Sequence, residues 1–327
     1  MGMEYRPLGN SGIEISAVTL GCWPLAGMTS PGATDELGMA TIDACFASGV
    51  NHLDTAYMYG AAGESELLIA RALGCGQADS RRDKMVIATK GGLHWEGNER
   101  LPDGRPETLR RECEESLRRL KTDRVELYYL HAPDPKVPIG ESAGELKRLL
   151  DEGKARAIGV SNVDVAQLES FSSECPISAY QPPYNMLQRE IESTTLPWCR
   201  EHNVAVLVYW PLLKGLLAGR MTRDTVFAES DSRRKYRMFH GEEWEKNLAL
   251  MDDLRQIADA AGHTVAELVI NWTINQPGIT SALCGAKRPE QIQETAGAAG
   301  WKLTGEQLAQ IDAALERRGE PDVEAPI

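Results

Sequence analysis

Eight short apolar runs punctuate this chain, and most are followed by a segment with helical spacing. The runs are Val18–Leu20, Asn51–Asp54, Met85–Thr89, Val125–Leu130, Ala155–Val160, Ile177–Gln181, Val204–Val208 and Ser281–Cys284. They are rich in Val, Ile and Leu and mostly lack polar alternation, which is the pattern of strands buried on both faces of a parallel sheet. Between them Leu109, Cys113, Ser116, Leu117 and Leu120 recur at helical spacing. So do Leu248, Met251, Leu254 and Ala258, and then Val265, Leu268, Val269 and Trp272. Ser161-Asn162 before Val163 and Thr304 before Glu306 read as helix N-caps, and Gly153 after Leu149-Leu150 reads as a helix stop. Eight strand–helix units without a linker predict an α/β fold, a closed (β/α)8 TIM barrel. A doubly wound open sheet would place a G-x-G-x-x-G loop after its first strand, and Thr19-Leu20-Gly21-Cys22-Trp23-Pro24 does not supply one.

A barrel of about 250 residues forms one domain, so the 327 residues are expected to be a single unit, 1–327. Three pieces exceed the minimal barrel. Residues 1–16 read as an N-terminal hairpin, with Gly9-Asn10-Ser11-Gly12 as its turn region. Residues 210–241 form a long loop after the seventh strand, and 302–327 form a C-terminal helical tail.

The net charge of −13 argues against nucleic acid or an anionic membrane as the partner, since both reward Lys and Arg. That acidity is uneven. Residues 220–240 hold six Lys or Arg against three Asp or Glu, a local surplus of three positive charges. The seven cysteines are scattered and form no CxxC, which suits a reducing cytosol better than a disulfide framework or a zinc site. Met1-Gly2-Met3-Glu4 carries no basic start followed by an apolar run, and no stretch reaches membrane-span length. The expectation is a cytoplasmic protein with a small-molecule partner and no bound metal. A homo-oligomer is compatible with this reading.

Barrel enzymes carry their reactive residues at the C-terminal ends of the strands. The second run ends in Asp54-Thr55-Ala56-Tyr57-Met58-Tyr59-Gly60, the third in Thr89-Lys90-Gly91-Gly92, the fourth in Leu130-His131-Ala132-Pro133 and the fifth in Gly159-Val160-Ser161-Asn162. Asp, Tyr, Lys and His thus meet at one rim. A free phenol titrates near 10, too high for efficient proton transfer at neutral pH. A nearby ammonium stabilises phenolate and is expected to lower that value. A carboxylate can hold the ammonium, and an imidazole can orient or relay the proton. Such a set can protonate a carbonyl oxygen as hydride reaches the carbon.

Asp54-Thr55-Ala56-x-x-Tyr59-Gly60, Lys90 in Ala-Thr-Lys, His131 and Gly159-Val160-Ser161-Asn162 resemble the aldo-keto reductase superfamily over about Leu8 to Ala298. The resemblance implies a (β/α)8 barrel that moves hydride between NADPH, less often NADH, and an aldehyde or ketone. It implies Tyr59 as general acid, Lys90 and His131 as its tuning and orienting groups, and Asp54 as the partner of Lys90. Ser161, Asn162 and Gln181 match residues that hold the nicotinamide carboxamide, and Tyr209 matches the aromatic that stacks on the ring. Trp210, Pro211, Leu212, Gly215 and Leu217 fall in the pyrophosphate loop. Gly285, Lys287, Arg288, Gln291 and Glu294 fall in the adenosine-phosphate segment, with Lys287 and Arg288 where a 2′-phosphate sits. Thr295 replaces the Asn that often follows the residue matching Glu294. Gly219-Arg220-Met221 and Asp231–Lys235 are similar to the bacterial, plant-type or channel-β-subunit-like branches. The last of these suggests a second function, a cofactor-binding sensor or regulatory subunit.

Other readings compete for several residues. Tyr57 contends with Tyr59, and only the family pattern selects between them. His52 and Asp54 would share one strand face and could be read as a metal pair, but no H-x-H accompanies them, so a packed or hydrogen-bonded His52 is expected. Trp23, Trp95 and Trp210 follow strands one, three and seven. Trp23 and Trp95, with Tyr184, are the candidate substrate pocket. Trp198, Trp244, Trp272 and Trp301 lie in helix-like segments and are expected to pack. Arg233-Arg234-Lys235-Tyr236-Arg237 reads as a solvated face, or as a lid over cofactor phosphates.

Overall fold

A computed structural model of the chain describes residues 2–27, 32–97, 99–229 and 231–323. An antiparallel hairpin comes first, β1 (Tyr5–Pro7) against β2 (Glu14–Ser16), with Tyr5 opposite Ser16. The barrel strands are β3 (Val18–Gly21), β4 (His52–Asp54), β5 (Val86–Gly91), β8 (Leu127–Leu130), β9 (Ile158–Ser161), β10 (Ala179–Gln181), β11 (Ala205–Val208) and β12 (Ile279–Gly285). Every neighbouring pair is parallel, and β12 pairs with β3 to close the barrel. All eight expected runs overlap a barrel strand. The runs beginning at Val125 and Ala155 overreach, since those two residues form only an isolated bridge before β8 and β9 start. Between β5 and β8 stands a second antiparallel hairpin, β6 (Leu93–Glu96) with β7 (Glu99–Pro102), which the apolar pattern does not reveal.

Helices α1 (Asp35–Ala47), α2 (Glu64–Ala72), α3 (Pro106–Leu120), α4 (Ile139–Asp151), α5 (Val165–Ser172), α6 (Thr195–Glu201), α7 (Gly241–Ala261), α8 (Val265–Ile274), α9 (Pro289–Ala296) and α10 (Gly305–Arg318) surround the barrel. Thr304 caps α10 in a reciprocal box with Gln307, as its sequence position suggests. Gly153 follows the end of α4 with φ at 72°. The expected cap at Ser161-Asn162 is corrected to Asp164, which forms a capping box with Gln167. Asn162 adopts a left-handed φ of 59°, so the chain turns there before the helix begins. α7 and α10 pack on each other outside the ring, joined by an Arg318–Glu243 ion pair. The expected tail is thus helical over Gly305–Arg318, and residues 324–327 lie outside the described set. The 210–241 loop contains three short 3-10 turns, Leu213–Ala218, Ser232–Lys235 and Arg237–Phe239.

Two apolar layers result. The outer one lies between strands and helices and includes Leu53, Ile87, Val160 and Leu268. The inner one sets four alanines, Ala88, Ala157, Ala179 and Ala205, among larger residues such as Leu127 and Tyr129. Leu8, Ile13 and Ile15 of the first hairpin belong to this inner cluster and plug the N-terminal end of the barrel. Each buried side chain of this size contributes about 1.5–3 kcal/mol. The turn depends on Gly9, with φ at 53°, where a Cβ would stand 2.4 Å from the Ser178 carbonyl oxygen. Among the described residues no helix is long and apolar enough to cross a membrane.

Candidate active site

Parallel register brings the rim residues together. Asp54 ends β4, Lys90 is one residue from the end of β5, and His131 follows β8 directly. Lys90 is fully buried and donates to Asp54 Oδ1 at 2.5 Å and to the Thr55 carbonyl at 2.8 Å. Gln181 Nε2 donates to Asp54 Oδ2 at 2.8 Å. Lys90 Nζ also lies 5.2 Å from the Tyr59 ring centre and 5.7 Å from that of Tyr129. The Tyr59 ring packs edge-on to His131 at 6.0 Å and to Trp23 at 5.0 Å. Tyr129 fits inside the barrel because Gly159 stands beside it in register, and a Cβ on Gly159 would come 2.3 Å from the Tyr129 ring.

Tyr57 points elsewhere. Its hydroxyl donates to Glu115 on α3 at 3.1 Å, and the Arg119 guanidinium covers its ring. Tyr59 is therefore the phenol that shares the pocket with Lys90 and His131. His52 lies deeper, with Nδ1 hydrogen-bonded to the Thr19 hydroxyl at 2.9 Å. Burial, then the Lys90 charge, lowers its pKa to about 3. Among the described residues no group of three His, Cys, Asp or Glu is arranged to hold a metal ion.

One expectation differs in direction: the Lys90 ammonium is engaged by Asp54, and the pKa of the Tyr59 phenol is raised rather than lowered. Burial, followed by the charge of Asp54, pushes the phenol well above its ordinary value, and Arg100 opposes this. The resting group is thus the neutral, proton-bearing phenol. His131 is held neutral, first by burial and then by the Lys90 and Arg100 charges. Its Nδ1 is buried with no hydrogen-bond partner among the described residues. Burial raises the Asp54 pKa, while Lys90 and Gln181 pull it down.

The residues matched to a cofactor line one side of the same mouth. Ser161 Oγ donates to the Gln181 carbonyl at 2.7 Å, and Asn162 Nδ2 donates to the His131 carbonyl at 3.0 Å. Tyr209 donates to Asn162 Oδ1 at 2.8 Å. The loop beyond it turns left-handed at Trp210, Leu213, Lys214 and Gly215, with φ at 58°, 42°, 56° and 88°. Backbone of this kind forms concavities that accept anions. Leu212 and Leu217 are tied within it, the Leu217 N–H donating to the Leu212 carbonyl at 3.2 Å, and Pro211 is buried at its start. Lys214 is wedged between Trp210 and Tyr236, 4.5 and 4.4 Å from their ring centres. On the far side, Gly285 ends β12, and Gln291 Oε1 accepts from the Lys287 backbone at 2.9 Å at the start of α9. Arg288 is the exposed residue before Pro289. Glu294 pairs with Arg220 of the long loop at 2.5 Å, so loop and α9 are clasped together. Thr295 turns inward, its hydroxyl donating to the Gln291 carbonyl at 3.1 Å.

Of the three candidate pocket residues, Trp23 and Trp95 pack with Tyr59 against one small cluster, Ala56, Met58 and Leu93. Trp95 Nε1 donates to the Met58 carbonyl at 3.0 Å. Tyr184 does not join that cluster. Its backbone pairs with Tyr209, but its side chain is fully buried, stacked on Trp272 and donating to Glu192 at 2.6 Å. Trp198 and Trp301 stack on His202 and His263, and Trp244 packs with Phe227 and Phe239. The basic run divides: Arg233 pairs with Asp231 and Arg237 with Asp322, while Arg234 and Lys235 face solvent. One charged residue near the site is not among those the sequence pattern singles out. Arg100 sits on β7, opposite Trp95. Its signal was the dipeptide Gly97-Asn98 between two four-residue runs, a hairpin pattern.

Comparison with known proteins identifies the family. Residues 17–316 match the model of the aldo/keto reductase family. The aldo-keto reductase YhdN of Bacillus subtilis is 36% identical over 315 residues, covering 96% of this chain and 94% of that protein. A probable aldo-keto reductase 1 of Glycine max is 32% identical over 312 residues, 94% of this chain and 88% of that one. The glycerol dehydrogenase AKR11B4 from Gluconobacter oxydans superposes with a TM-score of 0.88 at 38% identity, over 99% of this chain and 98% of that one.

Proposed function

Because this chain belongs to the aldo/keto reductase family, we propose that it interconverts aldehydes or ketones and alcohols with NADPH, using Tyr59 as proton donor. The observation that carries the reading is the Tyr59 phenol, kept neutral by burial and placed beside Lys90 and His131 at the open rim. When bound, the nicotinamide supplies the hydride. Tyr59 gives its hydroxyl proton to the carbonyl oxygen as negative charge develops there, and becomes phenolate. Lys90, fixed by Asp54, then stabilises that phenolate. The neutral His131 can hydrogen-bond the same oxygen without competing for the proton. Solvent restores the phenol.

Ser161, Asn162 and Gln181 would hold the carboxamide, Tyr209 the ring, and the left-handed 210–217 backbone the pyrophosphate. Gly285, Gln291 and Glu294 would border the adenosine. Lys287 and Arg288 at the start of α9 support NADPH over NADH. Similarity to a glycerol dehydrogenase adds small polyols and their carbonyl forms to the substrate group. The hairpin, long loop and tail are read as parts of one domain, since the hairpin shares the barrel's inner core. The seven cysteines are all buried free thiols, which supports a cytoplasmic setting.

The test is reduction of 4-nitrobenzaldehyde with NADPH, followed at the nicotinamide absorbance. Tyr59→Phe should lower turnover by about 10²–10⁴-fold while NADPH still quenches protein fluorescence. Near-normal turnover would remove Tyr59 from its role, and full activity in Lys90→Met would remove that of Lys90. Cofactor binding without oxidation across a carbonyl panel would point to a sensor or regulatory subunit instead.

A further inference from the structure

The second hairpin places a cation over the mouth of the barrel. Trp95 and Arg100 are directly opposite in its antiparallel register, and opposed residues project from the same face of a β-ladder. That face is fixed by Trp95, which packs on the same Ala56, Met58 and Leu93 cluster as Tyr59 and hydrogen-bonds the Met58 carbonyl. Arg100 therefore faces the pocket, while Glu96 and Glu99, one residue along, face away from it. Its charge is felt at Tyr59, His131 and Tyr209, which border the reaction centre, and at Lys214 and Tyr236 of the long loop.

Arg100 has no hydrogen-bond or ion-pair partner among the described residues, and it is exposed. Neighbouring cations are compensated differently. Arg233 is paired with Asp231 at 2.6 Å. Lys214 is caged between two aromatic rings, and its pKa is lowered to about 8 by burial and then by Arg100 and Arg233. The mouth thus holds an unmet positive charge on a two-stranded support. A guanidinium in that position matches the paired oxygens of a carboxylate or phosphate.

We propose that Arg100 determines substrate specificity, selecting carbonyl compounds that carry an oxyanion group, carboxylate or phosphate, beyond the reacting carbon. This rests on the reductase reading above and names the substrate class for it. Trp95 and Trp23 form the apolar walls between the reacting carbonyl and the anion, and Arg100 sets the far end.

The experiment compares kcat/KM for 4-carboxybenzaldehyde and 4-formylphenyl phosphate with that for benzaldehyde, in wild type and in Arg100→Gln and Arg100→Lys. The anionic-to-neutral ratio should fall about tenfold in Arg100→Gln, the scale of a charge-assisted contact. The loss should lie mostly in KM, and Arg100→Lys should restore part of it. Whichever anion shows the larger drop identifies the preferred group. In parallel, benzoate binding to the NADPH-loaded protein is read from tryptophan fluorescence, which needs no turnover, and should weaken similarly in Arg100→Gln. An unchanged ratio together with unchanged benzoate affinity overturns the proposal. So does a rise in the dissociation constant for NADPH as the main effect, which would place Arg100 on the cofactor phosphates. Normal benzoate selectivity with no aldehyde turnover would sink the reductase reading and leave the anion site standing.

Discussion

Lys90 depends on a missing methyl group two strands away. The Tyr129 ring lies beneath the ammonium and occupies the space beside Gly159. Gly159→Ala would place a carbon 2.3 Å from that ring, so Tyr129 must move in a core with little room. The expected cost is about 1–3 kcal/mol of stability, read as a lower urea midpoint, together with reduced turnover because the support of Lys90 shifts. Gly144→Ala, where nothing lies within 4 Å of the added carbon, should instead stabilise α4 by about 0.5–1 kcal/mol. Equal effects of the two variants would refute the packing argument. Gly159 is visible in the sequence as part of Gly-Val-Ser-Asn, and its four-residue pattern is enough to suggest a cofactor strand. The steric reason is not visible there, because Tyr129 meets Gly159 only through parallel register. Tyr184 fails for a related reason: proximity to a strand end does not say which way a side chain points, and this one stacks on Trp272.

The second hairpin is anchored through Glu112 of α3. Its Oε2 accepts from the Gly92 N–H at 2.7 Å, just before β6. Its Oε1 faces His94 Nδ1 at 3.5 Å. Burial pushes Glu112 up to about 7; the Gly92 N–H and Arg111 pull it down, and Asp103 and Glu115 push it up. A carboxyl whose folded pKa exceeds its unfolded value adds stability at low pH that is lost as pH rises through the folded value. Stability should therefore decline between the ordinary carboxylate range and about pH 7, by an amount of the order of 3 kcal/mol at most. Glu112→Gln should flatten that slope in urea titrations at several pH values; a slope that persists would mean another group causes it. This element was harder to read than the barrel strands. Those are continuous apolar runs, whereas β6 and β7 are short, carry Glu96, Glu99 and Arg100, and are half solvated. Their turn signal, Gly97-Asn98, was the only clue. The first hairpin was legible from its Gly9-Asn10-Ser11-Gly12 turn, while the packing of Leu8, Ile13 and Ile15 into the barrel was not.

For the molecule as a whole, the closed barrel was legible because eight strand–helix units admit few topologies. The long loop was visible as excess length and local basicity, but its clasp to α9 through Arg220 and Glu294 joins residues 74 apart and no local pattern announces it. The N-terminal plug has a kinetic meaning. With Leu8, Ile13 and Ile15 sealing one end, both reactants must use a single doorway. The groups that would hold the nicotinamide, Ser161 and Gln181, are buried to 1% and 3% exposure, behind Trp23, Trp95 and Arg100 at the threshold. Two molecules that share one doorway must queue, and the deeper occupant enters first and leaves last. Steady-state analysis should then show oxidised cofactor competing with NADPH while the alcohol product does not; competition by both would mean that the doorway admits them in either order.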